Sequence, residues 1–173
     1  MSQINLKRKI RNIPNFPQKG VMFRDITPLL QDSRYFQYTI DQLALPFRNK
    51  KIDIIVGIDA RGFILAAALA YKLKTGLAII RKKGKLPFKT IAKKYSLEYA
   101  SEVIEMHQDA IKPGQKVLLI DDVLATGGTM RATIEIVKKL KGKIVGISFL
   151  IILEALQGEK RLKGYQIDHL IEF

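Results

Sequence analysis

Apolar and polar positions change period several times along the chain, and each change marks an element. Ile52 to Ile58, Val117 to Ile120 and Ile144 to Leu153 are apolar runs without strict alternation, the pattern of strands covered on both faces. Leu77 to Arg81 and Gln166 to Ile171 complete the strand set. Between them the spacing becomes helical: Tyr35, Phe36, Ile40 and Leu43 predict a helix capped by Ser33 and running to about Phe47. An Ala-rich apolar helix is expected over Phe63 to Leu73, another over Thr129 to Leu140, and a short one over about Ala155 to Leu162. Breakers at Pro14, Pro17, Gly20 and Pro28 make Asn12 to Leu30 an ordered loop after a short N-terminal helix. A hairpin is expected around Lys94 to Leu97 and Glu102 to Met106, and Pro113-Gly114 supplies a turn. Strands alternating with helices predict an α/β fold with a doubly wound, mainly parallel sheet flanked by helices.

The chemistry concentrates where one buried strand stops being apolar. In VLLIDDVLATGGTM, Val117 to Met130, the strand runs into Asp121 and Asp122, then into a Thr-Gly-Gly-Thr turn that opens a helix. Open α/β sheets hold ligands at such strand ends. Adjacent carboxylates disfavour joint ionisation unless something polar or cationic offsets them. A vicinal diol does so by donating hydroxyl protons, with a hydrated metal ion adding positive charge. Gly127 and Gly128 let backbone N–H groups approach an anion, Thr126 and Thr129 add hydroxyls, and the helix points its positive end at the same spot. Diol and phosphate recognised within one turn describe ribose 5-phosphate.

Other readings of that stretch explain less. A plain strand, turn and Thr-capped helix leaves the Asp-Asp pair without a purpose. A nucleotide-binding P-loop needs G-x-x-x-x-G-K-[ST], and the nearest match, Gly57 to Gly62, is followed by Phe63. No G-x-G-x-x-G follows a strand, so the dinucleotide fingerprint is absent.

Composition narrows the classes further. A chain of 173 residues suits one domain, 1–173, and the absence of Cys removes thiolate, disulfide and Cys-ligated zinc chemistry. The N-terminus, MSQINLKRKI, has no apolar segment behind its charges, and no apolar run reaches membrane-spanning length, so a cytoplasmic protein without a membrane partner is expected. The formal charge of +14 fits nucleic acid, an acidic surface or a highly charged anionic substrate. Lys138, Lys139, Lys141 and Lys143 end a helix, where cations are ordinary. Lys82, Lys83, Lys85, Lys89, Lys93 and Lys94 crowd a loop that should overhang the sheet edge carrying Asp121.

Four segments together carry a family resemblance: IPNFPQKGVMFRDITPLL, GIDARGF, RKKGKLPFKT with YSLEYASEVIEMHQDAI, and VLLIDDVLATGGTM. The chain resembles the type I phosphoribosyltransferases and, within them, the adenine-using branch, over nearly its whole length. The last segment marks only the superfamily; the first and third are specific to the adenine enzymes. The resemblance implies that adenine and 5-phosphoribosyl 1-diphosphate become AMP and diphosphate, with Mg2+ carried mainly by the substrate and no direct protein ligand. No nucleophilic side chain is then needed, in keeping with the missing Cys and only two His.

The same resemblance implies a role for each segment. Residues 1–32 form the base-pocket segment, with Met22, Phe23 and Arg24 around the purine, Phe23 stacking on it and Val123 packing from the other side. Asp121 and Asp122 hold the ribose hydroxyls, Asp122 also stabilising ring charge, and Ala125, Thr126, Gly127, Gly128 and Thr129 bind the 5-phosphate. Asp59, Ala60, Arg61, Arg81, Lys82 and Lys85 meet the diphosphate, and the Ala60-Arg61 peptide is the candidate for a cis bond. Residues of about 82–103 form a mobile lid carrying the catalytic Glu98 and Tyr99, and a homodimer is implied. Left as structural are His107 and His169, which have no metal-ligand spacing.

Two rivals make other demands. A 6-oxopurine enzyme of the same family wants a different base pocket from VMFRD. A nucleic-acid-binding regulator built on this fold wants an added DNA-binding segment, for which the dozen or so residues before the base-pocket loop leave no room, so nucleic acid is not an expected partner.

Overall fold

The computed structural model describes residues 4–96 and 101–173. Among them the apolar runs form one seven-stranded sheet in the order β5-β6-β4-β3-β7-β8-β9. Its parallel centre is β4 (Gly76–Lys82), β3 (Ile54–Ile58), β7 (Lys116–Leu124), β8 (Lys143–Ile152) and β9 (Ile167–Glu172). An antiparallel hairpin, β5 (Thr90–Ser96) and β6 (Ser101–His107), extends one side through β4.

The double covering expected from the unalternated strands is present. On one face, α4 (Gly128–Lys139) buries Met130, Ile134, Ile136 and Val137 against Val117, Leu119 and Phe149. On the other, α2 (Ser33–Ala44) and α3 (Arg61–Leu73) bury Leu43, Leu65 and Leu69 against Ile55, Leu118 and Ile120. The chain leaves β3 toward β4 in one direction and later returns to β7 on β3's other side. That reversal opens a crevice at the carboxyl ends of β3 and β7, where doubly wound sheets bind ligands.

Local chemistry moves several expected boundaries. Asp32, not Ser33, caps α2: its Oδ1 accepts the N–H groups of Arg34 at 3.1 Å and Tyr35 at 3.3 Å, a contact typically worth about 1 kcal/mol. The helix stops at Ala44, and Leu45–Phe47 form a 3-10 turn that begins around Pro46. The breaker-rich segment is more ordered than a loop, because β1 (Arg11–Pro14) and β2 (Met22–Asp25) pair antiparallel around its Pro and Gly residues. A one-turn helix, α1 (Thr27–Gln31), follows with Pro28 in its first turn. The expected helix after Leu153 is instead two 3-10 turns, Glu154–Leu156 and Gly158–Leu162, separated by Gln157 in the left-handed conformation. The hairpin of β5 and β6 is longer than expected, and the segment joining its strands, with Glu98 and Tyr99, lies outside the described residues.

Candidate active site

The crevice takes its character from the end of β7. The strand continues to Leu124, so Asp121 and Asp122 sit within it rather than after it. The Asp122 N–H donates to Asp121 Oδ1 at 2.8 Å, and Asp122 is 6% exposed. Burial and then the Asp122 charge push the Asp121 carboxyl well above the ordinary carboxylate range. Burial pushes Asp122 up as well, opposed first by the Arg61 guanidinium. Arg61 Nη2 stands 2.7 Å from Asp122 Oδ2, close enough for an ion pair though off the hydrogen-bond axis. This pair of acids therefore has spare capacity for hydroxyl donors or positive charge.

Arg61 comes from the opposite side of the crevice. It opens α3, directly after β3, and the residue following it explains how the two elements meet. A Cβ on Gly62 would stand 2.7 Å from Asp121 Oδ1 and 3.3 Å from Asp121 Cα, so only glycine lets the helix start against the acids. The expected cis peptide lies one residue earlier than the sequence suggested: Asp59-Ala60 is cis, and Arg61 is already the first residue of the helix.

Beyond Asp121 the chain makes a second, smaller hollow. Residues 123–130 with Asp121 and Phe149 line about 110 Å³, including Ala125, Thr126, Gly127, Gly128 and Thr129. Gly127 has φ +80°, and a Cβ there would also meet the Gly158 carbonyl oxygen at 2.6 Å. It precedes α4 without any side-chain cap, so the first-turn N–H groups of that helix have no competing side-chain oxygen. Gly158, packed against this loop from a distant segment, had no signal in the sequence.

The larger hollow, about 340 Å³, is lined by Asp59, Ala60, Arg61, Lys82, Tyr95, Glu102, Asp121, Asp122 and Thr129 among others. Asp121 and Thr129 border both hollows. Arg81 Nε donates to Asp59 Oδ2 at 3.2 Å, and Lys82 Nζ pairs with Glu102 Oε1 at 2.9 Å. Glu102 Oε2 accepts the Tyr95 hydroxyl at 2.9 Å, and Tyr95 in turn accepts from the Thr129 hydroxyl at 3.2 Å. Burial is the main force pushing the Tyr95 phenol up to about 12, so it stays protonated at neutral pH. Nothing in the sequence singles out Tyr95 and Glu102, which face each other across the β5–β6 ladder. Lys85 is exposed and does not line the hollow.

On the third side stands Phe23, from β2. The Arg61 guanidinium lies 4.7 Å from its ring centroid and Phe16 meets it edge-on at 5.0 Å. Met22 beside it is 45% exposed. Arg24 turns its guanidinium elsewhere, 3.9 Å from the Phe173 ring centroid and bonded to Asn12; its carbonyl accepts from Arg61 Nη1 at 3.0 Å. Val123 packs in the core on the α2 and α3 face and also borders the smaller hollow. The structure thus unites Phe23, Arg61, Asp121 and Asp122 but directs the Arg24 side chain away. Among the described residues no group of three or more His, Asp and Glu side chains could hold a metal ion.

Known proteins give a consistent picture. The phosphoribosyl transferase domain model matches residues 28–171. An adenine phosphoribosyltransferase of Thermotoga maritima is 51% identical over 173 residues, covering 100% of both chains. The solved structure of adenine phosphoribosyltransferase from Rhodothermus marinus superposes with a TM-score of 0.94 at 47% identity, covering 97% of this chain and 96% of that one. The Saccharomyces cerevisiae enzyme, solved with an imino-altritol bisphosphate and adenine, has a TM-score of 0.88 at 36% identity over 94% of each chain.

Proposed function

The chain belongs to the phosphoribosyl transferase family, in its adenine phosphoribosyltransferase branch, and from that premise we propose how its site joins adenine to 5-phosphoribosyl 1-diphosphate. The observation that carries the reading is a carboxylate pair, Asp122 buried and Asp121 half-buried, bordered by a phosphate-sized backbone cradle, by cations on two strand ends, and by an aromatic ring beyond Arg61.

The purine nitrogen forms a bond to the anomeric carbon as the carbon-oxygen bond to diphosphate breaks, and the diphosphate leaves with the electron pair. Positive charge builds on the ribose ring meanwhile. Asp121 and Asp122 accept the ribose hydroxyls, and Asp122, closest to Arg61, lies on the side toward the base. The cradle from Ala125 to Thr129 fixes the 5-phosphate, which holds the anomeric carbon in line. Arg61, with Arg81, Lys82 and Lys85 from the neighbouring strand end, stabilises the departing polyanion. Phe23 stacks on adenine; Met22 and Val123 shape the pocket, and Arg24 contributes through its carbonyl hold on Arg61. Glu98 takes up the purine proton, Tyr99 covers the reacting centre, and closure of the lid that carries them excludes water.

Magnesium fits the donor chemistry: two mutually repelling carboxylates suit a hydrated cation held mainly by the substrate, and Asp121 and Asp122 would hold it through water or hydroxyls. When bound it neutralises charge on the diphosphate. A homodimer is part of the proposal, supported by Ile64 and Tyr71, exposed by 43% and 89% and seven residues apart on α3. So is a cytoplasmic location; no described helix is long and apolar enough to cross a membrane.

Incubating the chain with adenine, 5-phosphoribosyl 1-diphosphate and magnesium should yield AMP and diphosphate together. Diphosphate without AMP would mean that water, not the purine, is the acceptor.

A further inference from the structure

One buried carboxylate organises the loop that follows β4. Glu105, in the middle of β6 and 5% exposed, sits opposite Arg81 in the antiparallel ladder. Its Oε1 accepts three successive backbone N–H groups, from Gly84 at 2.9 Å, Lys85 at 3.2 Å and Leu86 at 3.3 Å. Its Oε2 accepts the Thr90 hydroxyl at 3.1 Å. Consecutive N–H groups converge on one point only when the backbone curls, and Gly84 supplies the turn with φ +82°. A carboxylate this buried is tolerated because donors replace its water.

The curl has a consequence at the crevice. It presents the Lys85 carbonyl to Arg81 Nη1, which donates to it at 3.2 Å, while Arg81 Nε reaches Asp59 at 3.2 Å. A run of hydrogen bonds therefore links Glu105, through the loop backbone and Arg81, to Asp59 in the turn that leads into Arg61. Without its anchor, the loop would have no buried acceptor for three N–H groups, the Lys85 backbone would lose its fixed place, and Arg81 would lose the carbonyl that orients it.

We propose that Glu105 is a positioning residue for diphosphate: it touches no substrate, but sets the geometry in which Arg81 and Lys85 meet the leaving group. This rests on the assignment of Arg81 and Lys85 to the diphosphate. It differs from a purely structural role, which would weaken every ligand or none. Only the diphosphate end should suffer.

Calorimetric titration of the full chain with diphosphate and, separately, with AMP tests this. Glu105→Ala should weaken diphosphate binding about tenfold or more, as expected when three N–H groups lose their shared charged acceptor, and leave AMP binding within about twofold. KM for 5-phosphoribosyl 1-diphosphate should rise more than kcat falls, and Glu105→Gln, whose amide oxygen still accepts the three N–H groups, should restore most of the affinity. If Glu105→Ala does not fold, Glu105→Asp, one methylene shorter, is measured in its place with the same expectation. Loss of diphosphate binding in Arg81→Ala or Lys85→Ala but not in the Glu105 variant overturns the positioning role. Unchanged diphosphate binding in Arg81→Ala and Lys85→Ala overturns the assignment beneath it. Equal weakening of AMP and diphosphate by Glu105→Ala also overturns the proposal.

Discussion

Arg61 Nη2 lies 2.7 Å from Asp122 Oδ2 while the same guanidinium sits 4.7 Å from the centroid of the Phe23 ring. One side chain thereby joins the acid assigned to ribose with the ring assigned to the base. Arg61→Ala should lower kcat/KM for 5-phosphoribosyl 1-diphosphate by about 100-fold, the usual scale for losing one donor to developing negative charge. Arg61→Lys should recover little of this, because an ammonium cannot hold Asp122 and the Arg24 carbonyl from one planar fork. Steady-state kinetics of both variants decide it; full activity of the Lys variant would mean that only net charge matters.

The raised Asp121 carboxyl makes a prediction about stability. Its folded pKa exceeds its unfolded value, so its contribution is fully favourable only below the ordinary carboxylate pKa and is lost as pH rises through the folded value. At neutral pH the free protein carries that penalty. Asp121→Asn keeps an oxygen for the Asp122 N–H and removes the charge, so it should melt at a higher temperature than the parent at pH 7. The gap should narrow as pH falls and close below about 4, where ordinary carboxylates are protonated. Thermal melts across that range check the sign, and a gap that widens in acid would refute it.

Gly62→Ala tests whether α3 must start against Asp121. The added Cβ would approach Asp121 Oδ1 to 2.7 Å and the Ile120 carbonyl oxygen to 3.4 Å, so the helix or the strand has to move. A loss of about 1–3 kcal/mol in denaturant unfolding is expected, together with reduced turnover. Unchanged activity and stability would show that the crevice tolerates a wider opening.

Tyr95 links the β5–β6 hairpin to Thr129 and Glu102, and its phenol is pushed up to about 12. Tyr95→Phe should therefore cost about 1 kcal/mol of stability from the lost hydrogen bonds. It should leave the shape of the pH–rate profile unchanged below pH 10, since the hydroxyl does not titrate there. A shifted limb in that profile would give Tyr95 a proton-transfer role that its burial argues against.

Much of the sheet was legible because parallel strands buried on both faces leave long apolar runs, as Val117 to Ile120 and Ile144 to Leu153 do. The Asp-Asp pair and the glycine turn were legible because their chemistry is local. What escaped was assembled by pairing between distant segments. Strands β1 and β2 hid among prolines, since a short antiparallel pair needs few residues and little hydrophobicity. Glu105 looked like any acid in a strand until the loop from Gly84 folded over it. Arg24 stood beside Phe23 in sequence, yet Phe173 at the far end of the chain captured its guanidinium. Asp32 outcompeted Ser33 as a cap because two N–H groups fell within reach of its longer carboxylate.

Adenine transfer is checked by comparing kcat/KM for adenine, hypoxanthine and guanine with 5-phosphoribosyl 1-diphosphate and magnesium. Adenine should be preferred by about 100-fold or more, because exchanging an amino donor for an oxo acceptor at a hydrogen-bonded position leaves polar atoms unpaired. Equal or better use of hypoxanthine or guanine would rule out adenine as the preferred base.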